Sequence, residues 1–570
     1  MVPIAAMTDI SPDALHDEAL ARLRAGDAAA ARDLLRRVLA VAPGRAESWA
    51  NLGLALARTE DWPGAASAFL RVLDLAPAQA GPVVPWLNEA GSRLQAAQLL
   101  DAAEICFSRV IAALPGDPAG HANLGSVHQD RGELDQAVER FRAALALDPG
   151  RTPIWTNLAA AMNASPRHAP GEVLALLRRF DAEVAVPLRD PWPHANARDP
   201  DRRLRVGYLS ADFRRHAAAQ FMLPLIVGHR RERVEVTCYH DHAGSDDWTG
   251  PFRHAADRWV ETAGLDDAAL AERIRADGID LLVDLGGLTG GRLGTFARRP
   301  APVQVTWFGY VTSTGLSAMD WRLTDAIADP DGTEPHYAER LWRLPGAMWC
   351  FRPPAAVPPV TPLPAPRNGA VTFGAFQRFA KVTPEVLDAW ARILAAVPDS
   401  RLLIHLPPGS VRERVAEAFR RRGVEPSRLK AFGRVGHERY WDLLGSVDIA
   451  LDSFPFGGGT TTFEALWAGV PVVTCTGEGG GFAPRFSSRM GRSFLKAVGL
   501  DDLAAPDPDG YVSTAVALAG DVGRLAELRA TLRGRMAASP LTDEKRFVAE
   551  VEEAYRGMWR LWCDGAPARP

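Results

Sequence analysis

The 570-residue sequence predicts an α + α/β protein: an N-terminal α-solenoid, then two Rossmann-like α/β lobes, with a C-terminal helix closing across the lobes. Three observations carry this. A repeat of about 34 residues runs through the first quarter of the chain. From Leu204 onward, short apolar strand runs alternate with helical patterns, as in parallel sheets. One of these strands ends in Gly457-Gly458-Gly459-Thr460-Thr461-Thr462, a turn that leads directly into a helix.

The length exceeds what a single core supports, so several domains are expected. Hydrophobic residues at 47% and charged residues at 24% are those of a water-exposed globular chain. A net charge of −4 offers no electrostatic case for nucleic acid or an anionic membrane. The five cysteines are scattered without a C-x-x-C pair, which argues for a reducing compartment and against structural zinc. No uncharged apolar run is long enough to span a bilayer, and the first residues lack an export signal, so a cytoplasmic protein is expected.

The repeats are assigned to 1–165. Pro43, Pro77, Pro115 and Pro149 end four units; the first and last intervals are 34 residues, and the middle one is four longer. Ala31, Ala65, Ala103 and Ala137 stand twelve residues before these prolines, and Phe69, Phe107 and Phe141 eight before the last three. Small residues at helix crossings, aromatics filling the gap and Pro at the turn match the tetratricopeptide pattern. Such a solenoid offers a concave face for an extended peptide. Asn51, Asn123 and Asn157 share one repeat position. Their amides are candidates for acceptor binding, pairing with peptide N–H and C=O; equally, they could stabilise the repeats themselves. Glu89 at that position of the third repeat, beside Asn88, is expected to break the ladder.

Residues 166–203 form a connector around one short helix at 172–186, packed through Trp192. The first lobe is placed at 204–352, with strands at 204–210, 234–239, 279–285 and 303–308. A Pro-rich linker follows at 353–369. The second lobe spans 370–540, and the closing helix lies within 541–565. Two similar sheets with a cleft between them describe the GT-B architecture, whose ligands bind beyond the C-terminal strand ends.

At the glycine turn, free N–H groups, the positive end of the helix dipole and threonine hydroxyls converge on one point. Gly458, Gly459, Thr460, Thr461 and Thr462 therefore read as a diphosphate site. Glu464, one turn into the helix, is placed to accept hydrogen bonds from a ribose.

The set Val206-Gly207-Tyr208-x-Ser210-x-Asp212-Phe213-x-x-His216, Arg299-Pro300-Ala301-Pro302-x-Gln304, Lys381-x-x-Pro384, Leu451-Asp452 and Gly458-Gly459-Thr460-Thr461-Thr462-x-Glu464-Ala465-Leu466-Trp467 resembles the tetratricopeptide-containing protein O-GlcNAc transferases, glycosyltransferase family 41, in a bacterial form. The resemblance implies an inverting, metal-independent enzyme. It would move a sugar, foremost N-acetylglucosamine from UDP-GlcNAc, to Ser or Thr hydroxyls of a protein held by the repeats. It puts Lys381 on the donor phosphates, where its charge would stabilise the leaving group. It puts Thr460 and Thr461 at a phosphate-contacting pair, and Arg378 and Tyr440 against the nucleotide. It makes His216 the active-site histidine, a base or a positioning group. No metal is implied, and the short Asp-Pro-Asp strings at 199–201, 329–331 and 507–509 read as turns.

Three departures bear on the sugar side. Gln220 replaces a second histidine, Val311-Thr312-Ser313-Thr314-Gly315 replaces the family's P-G-T-S-G, and Gly479 to Pro484 lengthen a loop. The nucleotide grip is thus more secure than the sugar. Alternatives are another nucleotide sugar such as an activated nonulosonic acid, a non-protein acceptor, or a non-catalytic scaffold.

Overall fold

The computed structural model describes residues 11–190, 192–354 and 356–565; part of the N-terminal stretch on which the export expectation rests lies outside them. The chain divides into two compact units: 1–149 with 407–413, and 150–406 with 414–570.

The first unit is a run of paired helices. In three of the pairs a glycine on one helix leaves room for a phenylalanine of the next to approach its backbone closely. A Cβ at Gly53 would stand 2.5 Å from the Phe69 ring, one at Gly91 2.7 Å from Phe107 and one at Gly125 2.8 Å from Phe141. The longer middle interval is taken up by Ala80–Ala96, a 17-residue helix that accommodates Pro85, against 13 residues in Ala46–Arg58 and Pro118–Asp130. Asn88, beside Glu89, is bonded within the repeats: Asn123 Nδ2 donates to Asn88 Oδ1 at 3.2 Å, and Asn88 Nδ2 donates to Asp117 Oδ2 at 3.3 Å. Glu89 instead pairs with Arg93 on the exposed face.

The second unit opens with the helix Thr152–Ala164, so the repeat carrying Trp155 and Asn157 belongs to it. The connector helix starts at Pro170, is α-helical to Phe180, and continues without a break as a π-helix over Asp181–Ala185 and a 3-10 turn over Val186–Leu188, so it passes the expected end at 186. Trp192 lies under the Arg275 guanidinium at 4.6 Å.

Two parallel sheets follow. The first holds β1 (Leu204–Ser210), β2 (Val234–His240), β3 (Arg258–Glu261), β4 (Leu281–Asp284), β5 (Val303–Thr306), β6 (Trp321–Asp325) and β7 (Arg340–Leu344) in the order β3-β2-β1-β4-β5-β6-β7. The second holds β8 (Thr372–Ala375), β9 (Arg401–His405), β10 (Leu429–Phe432), β11 (Ile449–Leu451), β12 (Val472–Cys475) and β13 (Ala504–Ala505) in the order β10-β9-β8-β11-β12-β13. Strands β3, β6 and β7 were not evident from local sequence. Every strand pair is parallel, so all loops at one edge of each sheet follow strand C-termini. The chain order reverses between β1 and β4 in one sheet and between β8 and β11 in the other. Those two switch points are where an open α/β sheet leaves a crevice for a ligand.

The lobes meet through buried polar contacts. Arg489 Nε donates to Ala328 O at 2.8 Å, and Ser493 Oγ to Asp325 Oδ2 at 2.9 Å. The final helix, Glu544–Cys563, returns to the first lobe. Its Glu552 accepts from His229 Nδ1 at 3.1 Å and from Arg230 N and Nε at 2.8 Å, while Trp559 Nε1 donates to Asp199 O. Phe547 packs against Trp307, with centroids 5.6 Å apart. Among the described residues no helix is long and apolar enough to cross a membrane.

Candidate active site

The second switch point is flanked by two loops, 376–383 after β8 and 452–459 after β11. Asp452 shapes the latter. It is fully buried at the end of β11, and its Oδ1 accepts from Ser453 N (2.9 Å), Gly458 N (2.6 Å) and Gln377 Nε2 (3.0 Å). Its Oδ2 accepts from Thr474 Oγ1 at 3.1 Å. Burial pushes this carboxyl above its ordinary range, and the donors oppose the shift. The chain then turns so tightly that a Cβ on Gly458 would stand 2.6 Å from Thr462 Oγ1 and 2.8 Å from Thr461 Oγ1.

The helix Thr460–Trp467 starts directly after this turn, with Gly459 at its N-cap and no side-chain cap. Thr462 N and Phe463 N donate to Gly459 O. Among the described residues the N–H groups of Gly459, Thr460 and Thr461 meet no acceptor, so they remain for a ligand. Thr460 and Thr461 are half-buried at the mouth, whereas Thr462 is buried at the foot of the helix.

Lys381 arrives from the loop after β8. Its Nζ donates to Gly457 O at 2.8 Å and sits 4.2 Å from the centre of the Phe456 ring. Burial pushes its pKa down to about 8; the Asp452 charge resists the shift and Arg378 adds to it. The ammonium thus stays mostly protonated at neutral pH without a carboxylate bonded to it. Arg378 is exposed three residues earlier.

Tyr440 and Glu464 form the neighbouring pair. The Tyr440 hydroxyl donates to Glu464 Oε2 at 2.7 Å, and its ring stands edge-on to Phe376 at 5.6 Å. Burial raises the Glu464 pKa to about 7 against hydrogen bonds from Tyr440 and Gln220. Glu464 lines a half-open cleft of about 730 Å³ together with His216, Gln220, Trp248, Arg352 and His437, so the first lobe's switch-point loop faces the same space. Gln220, read from sequence only as a substitution, lines the same cleft as Glu464 from the other lobe.

His216 is less than half exposed. Its Nδ1 lies 3.4 Å from Asp212 Oδ2 and accepts from Ala218 N at 3.2 Å. Burial lowers its pKa, with the Asp212 charge opposing the shift. The lengthened loop after β12 folds back on the turn: Phe482 stacks on Phe454 with centroids 5.5 Å apart and planes 7° from parallel.

A lysine, a glycine turn and a bare helix N-terminus at one switch point, facing a histidine at the other, have the chemistry that a diphosphate would require. The glycosyl transferase family 41 profile matches residues 181–350 and 363–551, more than half of the chain. The chain belongs to glycosyl transferase family 41. Tetratricopeptide repeat profiles match residues 16–80 and 121–153.

Among the curated relatives, a Solanum lycopersicum protein named probable UDP-N-acetylglucosamine–peptide N-acetylglucosaminyltransferase SPINDLY is 41% identical over 380 residues, 65% of this chain and 40% of that one. The Arabidopsis thaliana protein named probable UDP-N-acetylglucosamine–peptide N-acetylglucosaminyltransferase SEC is 30% identical over 378 residues, 64% of this chain and 38% of that one. The match thus spans about 40% of the length of these curated relatives. A solved mutant O-GlcNAc transferase of Thermobaculum terrenum is 33% identical, with a TM-score of 0.77, over 97% of this chain and 98% of that one.

The structure brings together Lys381, Arg378, Gly458, Gly459, Thr460, Thr461, Tyr440 and Glu464, and lines the adjoining cleft with His216. Asn51 and Asn123 lie in the repeat unit, and Asn157 in the second unit; all three are half-buried. Asp452 and Gln377 hold the glycine turn in shape and are not among the site residues expected from sequence. The only available signal was the Leu451-Asp452 pair before the glycine turn.

Proposed function

We propose that this protein is an inverting glycosyltransferase that transfers a sugar from a uridine-diphosphate donor to Ser or Thr hydroxyls of a protein. N-acetylglucosamine, the group in the relatives' names, is the proposed sugar. The observation that carries this is Lys381 Nζ seated 2.8 Å from Gly457 O beside the unfilled N–H groups of the glycine turn.

In the mechanism we propose, the diphosphate rests on the N–H groups of Gly459, Thr460 and Thr461 and on the hydroxyls of Thr460 and Thr461. Lys381 neutralises the charge that builds on the leaving diphosphate. That charge is met by an ammonium and a helix terminus, so the proposed reaction is metal-independent. Glu464, oriented by Tyr440, accepts from the ribose, and Arg378 adds positive charge at the rim. The acceptor hydroxyl attacks the anomeric carbon from the face opposite the diphosphate, which inverts its configuration. His216, beside Asp212 at the edge of the cleft, is the group that takes the proton or positions the hydroxyl. The repeats, with Asn51, Asn123 and Asn157 on their shared position, hold the flanking polypeptide, and we place the protein in the cytoplasm.

The test is incubation of the purified protein with a panel of nucleotide sugars and a cell lysate, followed by intact-protein mass measurement. A mass increment of one sugar on a lysate protein, from a uridine-diphosphate donor alone, supports the reading. No increment from any donor refutes it.

A further inference from the structure

The loop that follows β5 is held more firmly than a loop at a strand end requires. Tyr310 packs its ring against Phe456 (6.0 Å between centroids), the ring that carries Lys381 Nζ on its other contact. The segment therefore borders the diphosphate site from the opposite lobe. Arg322, 1% exposed on β6, grips its carbonyls: Nη1 donates to Thr312 O at 2.9 Å and to Tyr310 O at 3.3 Å.

Glu339, 5% exposed just ahead of β7, grips its donors. Oε2 accepts from Ser313 Oγ at 2.7 Å, and Oε1 accepts from Thr314 N at 2.6 Å and from Thr314 Oγ1. Ser313 Oγ already accepts from Ala338 N (3.1 Å) and Gly315 N (3.0 Å), so both of its lone pairs are taken and its proton must go to Glu339. Only a carboxylate satisfies all three donors; an amide would turn an N–H towards an oxygen with no lone pair left. Ser313 and Thr314 are thus buried and spent on the clamp, while Val311 and Thr312 stay half-buried at the surface of the loop.

We propose that Glu339 is a positioning residue that sets the 310–315 loop as the wall against which the transferred sugar is selected. This rests on the glycosyltransferase reading above. A diphosphate bound on the second lobe's glycine turn leaves the activated group to extend towards the first lobe, and this loop is the part of that lobe in contact with Phe456. Selection of the sugar therefore depends on Glu339, Ser313 and Thr314, and grip on the nucleotide does not.

The test compares full-length wild type, Glu339→Gln, Thr314→Val and Thr314→Ser. Calorimetry measures affinity for UDP and for UDP-GlcNAc, and kcat/KM is measured with UDP-GlcNAc and UDP-glucose. Glu339→Gln is expected to leave UDP affinity within about twofold while weakening UDP-GlcNAc about tenfold and bringing the two kcat/KM values together. Thr314→Val should do the same, and Thr314→Ser, which keeps the hydroxyl, should restore wild-type behaviour; this pair decides the matter if Glu339→Gln does not fold. Equal loss for UDP and UDP-GlcNAc, or no loss for either, overturns the inference while the glycosyltransferase reading stands. Failure of the wild type to bind UDP overturns both.

Discussion

Lys381 Nζ stands 2.8 Å from the carbonyl oxygen of Gly457, a bond that joins the loops after β8 and β11 across the second sheet's switch point. The carbonyl holds the ammonium in place without neutralising it, as a bonded carboxylate would. Asp452, which could have been that carboxylate, is occupied by the glycine turn itself. The positive charge is thereby kept for a ligand.

Lys381→Ala should lower sugar transfer by about 10²- to 10³-fold, the range found when one preorganised donor to a developing charge is removed. The thermal midpoint should hardly move, because the side chain makes one hydrogen bond and is half-buried. Steady-state kinetics beside a thermal melt checks both. Near-normal turnover would remove Lys381 from the mechanism.

Nucleotide affinity should be bell-shaped in pH, highest between about 7 and about 8. Below about 7 Glu464 gains a proton and accepts ribose hydroxyls less well. Above about 8 Lys381 loses its proton and with it the attraction for the diphosphate. UDP titrations across pH test this. Glu464→Gln should flatten the acid limb and Lys381→Ala the alkaline one; a profile unchanged by either substitution contradicts the assignment.

Glu552→Ala should destabilise the fold by roughly 3 kcal/mol, because it strands a buried His229 and frees Arg230. Burial alone would raise the Glu552 pKa, but His229 and Arg230 bring it down to about 2. The stabilisation is therefore present above the unfolded carboxyl's pKa of about 4.3 and lost as the pH falls towards 2. Denaturant melts at pH 7 and pH 3 should show a mutant–wild-type gap that narrows in acid. A constant gap would assign the loss to packing alone.

Deleting 1–149, the boundary of the first compact unit, should spare UDP-sugar hydrolysis and abolish glycosylation of protein acceptors. The cut leaves the helix Thr152–Ala164, whose Trp155 is fully buried in the second unit. Mass measurement of acceptors and a UDP-release assay separate the two activities. Unchanged protein glycosylation by the truncated chain would refute the peptide-groove role of the repeats.

Much of this architecture was legible because apolar periodicity is local. β1 has the expected bounds, and the repeats follow from the positions of Ala, Phe and Pro. What stayed hidden was polar and buried. β6 carries Arg322, Thr324 and Asp325, whose burial depends on partners outside the strand, the carbonyls of Tyr310 and Thr312 and the distant Ser493; β7 reads Arg-Leu-Trp-Arg-Leu and is half-buried over most of its length. The same holds at the site. Glycines and threonines announce a turn and a helix start by their own chemistry, whereas Gln220, Gln377 and Asp452 acquire their roles only when the sheets bring their partners near.

The most direct test is calorimetric titration of UDP into the wild type and Lys381→Ala at pH 7.5 (about the midpoint of the expected plateau). The expected result is saturable binding to the wild type and binding weakened at least about tenfold in the variant, the loss of one charge-assisted contact. Absence of binding to the wild type at millimolar UDP, or equal affinity in the two proteins, would contradict a diphosphate held by Lys381 and the glycine turn.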